Sequence, residues 1–124
     1  MKNSLRIAFG IGLLVLVCGI SAANAQRVGG YQEISKTDSD AQAAAEFAVS
    51  SQAETTSKEM SLVEVVKAER QIVAGSNYRM CMQVNSEGAE GQDSVAITVQ
   101  VVVYVDLKGN RKLSSWVISD CGDE

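Results

Sequence analysis

Val95-Ala96-Ile97-Thr98-Val99-Gln100-Val101-Val102-Val103-Tyr104-Val105-Asp106 places Val or Ile at every odd position and a mixed set at the even ones. A period of two sustained in branched side chains is the mark of a β-strand with one face against a core. The neighbouring segments extend that reading in both directions. Lys108-Gly109-Asn110 supplies a turn into a last strand over Lys112–Ser119. Before it, the run 86–93, with two glycines and three acids, reads as a solvated loop. Earlier still, Tyr78, Met80, Met82 and Val84 share one face of a strand and Arg79, Cys81 and Gln83 the other. The turn Ala74-Gly75-Ser76 joins that strand to a long one over Leu62–Val73.

Upstream the period changes from two to that of a helix. Ala41, Ala44, Ala45, Ala48 and Gln52 form a narrow stripe with Phe47 near its edge. The helix is expected to begin near Ser39, because Ser39 and Gln42 have capping-box spacing and Asp38 and Asp40 suit the positive end of the helix dipole. Thr55-Thr56-Ser57 favours its end. Gln26–Thr37 is a polar lead-in, with an edge strand expected around Tyr31–Ser35. The expected fold class is therefore α+β, one helix packed on a four- to five-stranded antiparallel sheet. Phe47, Met80 and Met82 are expected in the core, and Trp116 partly buried on the last strand.

Composition limits what such a domain can do. Lys2 and Arg6, the apolar run Ile7–Ile20 and the triplet Ala23-Asn24-Ala25 have the layout of a signal peptide cleaved near Ala25/Gln26. The expected division is residues 1–25 as signal and residues 26–124 as a single domain, exported to a secreted, periplasmic or extracellular location. The run is shorter than the ~20 residues a membrane-crossing helix needs, so no membrane is expected as a partner of the mature form. Cys18 follows Val17 rather than a small residue, which argues against lipidation. Without Lys2 and Arg6, the 11 basic residues fall to nine against 15 acids, a formal charge of −6, with no basic face for a nucleic acid.

Histidine is absent, which removes Ser-His and Cys-His nucleophiles and the usual zinc sets. No enzyme activity, metal or cofactor is expected. An enzyme using Cys81 as nucleophile would lack an imidazole to lower the thiol's pKa. An even pair of cysteines in an exported chain, Cys81 and Cys121, is instead expected to form a disulfide. In a meander their strands lie about 10 Å apart, at ~4.8 Å per step, whereas a disulfide needs Cα atoms within ~7 Å. The chain after Ser119 must therefore leave the sheet and cross its outer face, with Gly122 giving freedom to do so.

Three features in order resemble one family. Val28-Gly29-Gly30 lies near the start, Ala45-Glu46-Phe47-Ala48-Val49 in the helix, and Val65-Val66-Lys67-Ala68 runs into Gln71-Ile72-Val73-Ala74-Gly75 with Asn77-Tyr78 after it. Together they resemble the cystatins of plants and animals over essentially the whole of residues 26–124. The chain departs from many of them in having no proline, and its single tryptophan, Trp116, is in the last strand. The second hairpin, Leu107-Lys108-Gly109-Asn110, is closer to the Leu-Pro-Gly hairpin of the stefins. Lys58 stands where a legumain-binding loop would need asparagine, and that activity is not carried over.

The resemblance implies a reversible, tight-binding inhibitor of papain-like (C1 family) cysteine proteases, a plug rather than a catalyst. It assigns protease contacts to Gly29 and Gly30, to Gln71, Ile72, Val73, Ala74 and Gly75, and to Leu107, Lys108 and Gly109. Gln71 is read as a brace for its hairpin, and Arg27 and Val28 as subsite side chains. Gly75 is read as the point where the hairpin backbone reaches deep, so that Gly75→Glu is expected to weaken binding and leave the fold intact. A monomer is expected, with a domain-swapped dimer as the alternative. The competing function is a secreted binding module of the same fold that does not inhibit.

Overall fold

A computed structural model describes residues 30–122. Residues 1–25, expected as a signal peptide, and Arg27, Val28 and Gly29 of the lead-in lie outside the described residues. The elements run β1 (Tyr31–Ile34), α1 (Ser39–Thr56), β2 (Met60–Val73), β3 (Gly75–Ser86), β4 (Val95–Val105) and β5 (Arg111–Ile118). The strands form one sheet in the order β1-β2-β3-β4-β5, each pair antiparallel, with the helix on one face. This is the expected α+β class with its fifth strand present.

The helix is capped one residue before the expected position. Asp38, not Ser39, is the N-cap, its Oδ2 accepting the Ala41 N–H at 3.0 Å. A carboxylate there both satisfies an orphan amide and meets the helix dipole, so it outcompetes the serine. Gln42 does not complete a capping box; its side-chain amide donates to the Lys36 carbonyl. At the other end Ser57 adopts a left-handed conformation, φ 57°, and donates its N–H back to the Glu54 carbonyl.

Ala41, Ala44, Ala45 and Ala48 are fully buried, joined by Val49, which completes the stripe. Small side chains let the helix lie close to Met80, Met82 and Val84 of β3 and to Val99, Val101 and Val103 of β4. Phe47 and Trp116 are half-buried against this core. The close approach leaves no room for growth. Ala45→Leu is expected to destabilise the domain by about 1–3 kcal/mol, read as a lower urea midpoint at unchanged slope.

β2 departs from simple alternation. Leu62 opposes Val84, Val65 opposes Met82 and Ala68 opposes Met80, with register shifts between them that leave Val63 and Val66 as extra residues in two bulges. Strict alternation from Leu62 would aim Glu64 at the helix and bury a carboxylate there. The bulges put Val65 against the core instead and leave Glu64, Val63 and Val66 in solvent.

Cys81 and Cys121 form a disulfide with Cα atoms 5.9 Å apart. The route is the one that the meander requires. Ser119 still donates to Thr98 at the end of the ladder, and beyond it Cys121 turns with φ 55° and lies over β4, its sulfur 3.5 Å from the Val99 carbonyl oxygen. The tail thereby crosses β4 on the face away from the helix to reach β3.

Candidate functional site

Antiparallel order brings three chain segments to one end of the sheet. Tyr31 pairs with Gln71, so Gly30 leaves β1 beside the end of β2. Val73 pairs with Gly75 across the first hairpin, whose only residue outside the strands is Ala74. Ser76 pairs with Val105, so the second hairpin, 106–110, projects next to the first.

The tips of this end are apolar. Ile72 is 56% exposed, Val73 36% and Leu107 83%. Exposed aliphatic side chains of this size in one place have no role in the domain's own core, which suits a docking edge. A groove of about 440 Å³ runs between the hairpins, walled by Ile72, Val73, Val105 and Leu107 and flanked by Asp40 and Arg111. A larger depression, about 620 Å³, lies elsewhere, between α1 and the part of β2 that β1 does not cover.

Each hairpin is held by bonds of its own. In the first, the Asn77 amide donates to Gln71 Oε1 at 2.7 Å, which makes Gln71 a brace as read from the sequence. The Tyr104 hydroxyl, from β4, donates to the carbonyl of Ala74 at the tip. Nothing in the sequence points to Tyr104, because the contact spans thirty residues and depends on the register of β3 with β4.

Gly75 has an internal reason to be glycine. Its φ is +107°, and a β-carbon there would lie 2.4 Å from the Val105 carbonyl oxygen and 3.1 Å from the Asp106 Cα. The collision is with the second hairpin's own backbone. The expectation that Gly75→Glu leaves the fold intact is therefore corrected: this glycine is where the two hairpins touch.

In the second hairpin, Asp106 Oδ1 accepts the N–H groups of Lys108 and Asn110 at 2.8 and 2.9 Å, and Asn110 Nδ2 donates to Oδ2 at 3.1 Å. These bonds, the Asn110 amide foremost, hold the Asp106 carboxyl below its usual range. An Asp at the head of Leu-Lys-Gly-Asn is a recognisable side-chain turn signal that the alternation of β4 obscures. Gly109 takes φ +92° with open space around it, and Leu107 and Lys108 are exposed at the tip. Of the expected contacts, Gly30, Gln71, Ile72, Val73, Ala74, Gly75, Leu107, Lys108 and Gly109 are thus at this end.

Among the described residues, no group of three or more His, Cys, Asp and Glu side chains is arranged to hold a metal ion. The same residues include no helix long and apolar enough to cross a membrane.

Comparison with known proteins places this geometry. A family model described as the cystatin domain matches residues 29–102, a stretch that ends before the second hairpin. A curated relative from Arabidopsis thaliana, cysteine proteinase inhibitor 5, is 33% identical over 88 residues, 70% of this chain and 72% of that protein. Among solved structures, the salivary cystatin of the soft tick Ornithodoros moubata superposes with a TM-score of 0.60 at 24% identity, over 73% of this chain and 97% of that one. At that identity the likeness concerns the fold.

Proposed function

Because the chain belongs to the cystatin family, whose members are inhibitors and not enzymes, we propose that this cysteine protease inhibitor acts on papain-like proteases by filling their active-site cleft. The observation that carries the reading is the gathering of Gly30, the first hairpin and the second hairpin at one end, with Ile72, Val73 and Leu107 exposed there. A papain-like cleft is a groove with a reactive thiolate on its floor. It takes extended backbone and apolar side chains.

Two hairpins braced by Gln71, Tyr104 and Asp106 lose little freedom on docking, so affinity needs no covalent bond. The hairpin tips offer the thiolate no peptide held in attack geometry, and the inhibitor leaves the cleft uncut. Gly29 and Gly30 let the lead-in bend into the subsites on one side, where Arg27 and Val28 supply side chains. Export from the cell, as a monomer, fits the disulfide and the layout of residues 1–25.

Titration of papain tests the reading. Stoichiometric inhibition is expected, reversed on dilution, with the inhibitor recovered at unchanged mass. A folded protein with no effect on papain at micromolar concentration would leave only the non-inhibitory binding module.

Removal of the chain through Gly30 is expected to weaken inhibition by about tenfold or more for some papain-like proteases and hardly at all for others. Contacts that such a lead-in makes vary with the shape of each target's subsites. Dissociation constants of the whole and shortened proteins against a panel would check it. Equal values throughout would reduce the lead-in to a tail.

A further inference from the structure

Three side chains on the outer face of the sheet, from three neighbouring strands, meet beside the start of β1. Arg79 of β3 grips Glu69 of β2 with both ends of its guanidinium, Nε to Oε1 at 2.9 Å and Nη2 to Oε2 at 3.1 Å. The same guanidinium carbon stands 4.0 Å over the ring of Tyr31 in β1. The pair is partly sheltered, and hydrogen bonding from Arg79 holds the Glu69 carboxyl below its usual range. On the other side of Arg79, Cys121 and Gly122 of the disulfide-held tail close a cleft of about 100 Å³.

β1 needs such an anchor. It has four residues, pairs with β2 alone, and presents Gln32 and Glu33 to solvent. So short an edge strand frays readily. Ile34 ties its far end to the core, and Tyr31 is the tie at the near end. Tyr31 also directly follows Gly30 and lies opposite Gln71, next to the exposed Ile72 and Val73. Whatever fixes Tyr31 sets where the chain before it leaves the sheet relative to the first hairpin.

We propose that Arg79, oriented by Glu69 and stacked on Tyr31, is a positioning residue that aligns the amino-terminal arm with the first hairpin before the protease arrives. This rests on the inhibitory reading of the chain. Arg79 touches no protease in this scheme; it acts by lowering the freedom that the arm loses on docking. The ring matters and its hydroxyl does not.

The test measures dissociation constants for papain in two backgrounds, the whole protein and the form shortened through Gly30, with amide exchange of Tyr31–Ile34 in the free protein as a second readout. Arg79→Met and Tyr31→Leu are expected to weaken binding about tenfold in the whole protein, Tyr31→Phe to behave as wild type, and Arg79→Met to cost less than twofold once the arm is gone. Exchange in β1 is expected to quicken at least fivefold in Arg79→Met, with α1 and β4 unchanged. Equal loss in both backgrounds would make Arg79 a general stabiliser and overturn the proposal, as would a folded Arg79→Met protein of unchanged affinity. A wild-type protein that does not inhibit papain would instead overturn the inhibitory reading, and the positioning role with it.

Discussion

Gly75→Glu is expected to lower both stability and inhibition, the latter by about 100-fold or more. Backbone held near φ +107° is glycine territory, and forcing a side-chain-bearing residue into it costs about 1–3 kcal/mol before any contact is counted. The contact is worse. A β-carbon 2.4 Å from the Val105 carbonyl oxygen must push the two hairpins apart, because this nearest atom is backbone; the Tyr104 hydroxyl, 3.0 Å away, would be crowded as well. Splayed hairpins no longer present Ile72, Val73 and Leu107 together, and a glutamate would carry an unpaired charge into an apolar cleft. Gly75→Ala separates the two causes. It should show the loss of stability in urea with a smaller loss of inhibition, whereas Leu107→Asp, at an 83% exposed tip, should lose inhibition with an unchanged urea midpoint. A Gly75→Glu protein that melts like wild type would refute a structural role for the contact between the hairpins.

Removing the disulfide is expected to cost about 3–4 kcal/mol. The bond closes a separation of 40 residues, and in the chain-entropy treatment a loop of that size restricts the unfolded state by about that amount. The double variant Cys81→Ser with Cys121→Ser avoids a stray thiol and should lower the urea midpoint accordingly, with the intact protein two hydrogens lighter before reduction than after. Cys81 is 6% exposed, so its replacement also leaves a hydroxyl in a sheltered place and adds to the loss. Two thiols freely alkylated in protein from an oxidising compartment, or a midpoint shift worth less than about 1 kcal/mol, would contradict a stabilising bridge of this size.

β4 was legible because nothing interrupts its period: Val99, Val101 and Val103 are all buried, as alternation requires. In β2 the same rule identifies Leu62 and Ala68 as facing the helix and fails between them. Two single-residue bulges add an even number, so both ends keep their parity while Val65 replaces Glu64 and Val66 at the core. Sequence period cannot report a bulge whose cause lies across the sheet. The helix stripe was visible in its alanines, but the cap went to Asp38 because two adjacent residues could both serve and the difference was electrostatic. At the candidate site the hairpin residues were legible as a motif. Their supports, Tyr104 on Ala74 and Arg79 on Tyr31, were not, since each depends on which residues the strand pairing sets side by side.

The bulges at Val63 and Val66 also give β2 slack. Either residue could be deleted and the flanking pairs, Leu62 with Val84 and Val65 with Met82 or Ala68 with Met80, would close into an ordinary ladder with every side chain on its present face. A one-codon deletion anywhere from 63 to 67 can be absorbed in the same way, by dissolving a bulge rather than shifting the hairpin beyond it. In a strand without that reserve, the same deletion would turn Ile72 and Val73 to opposite faces; here it would be felt as lost curvature around the helix.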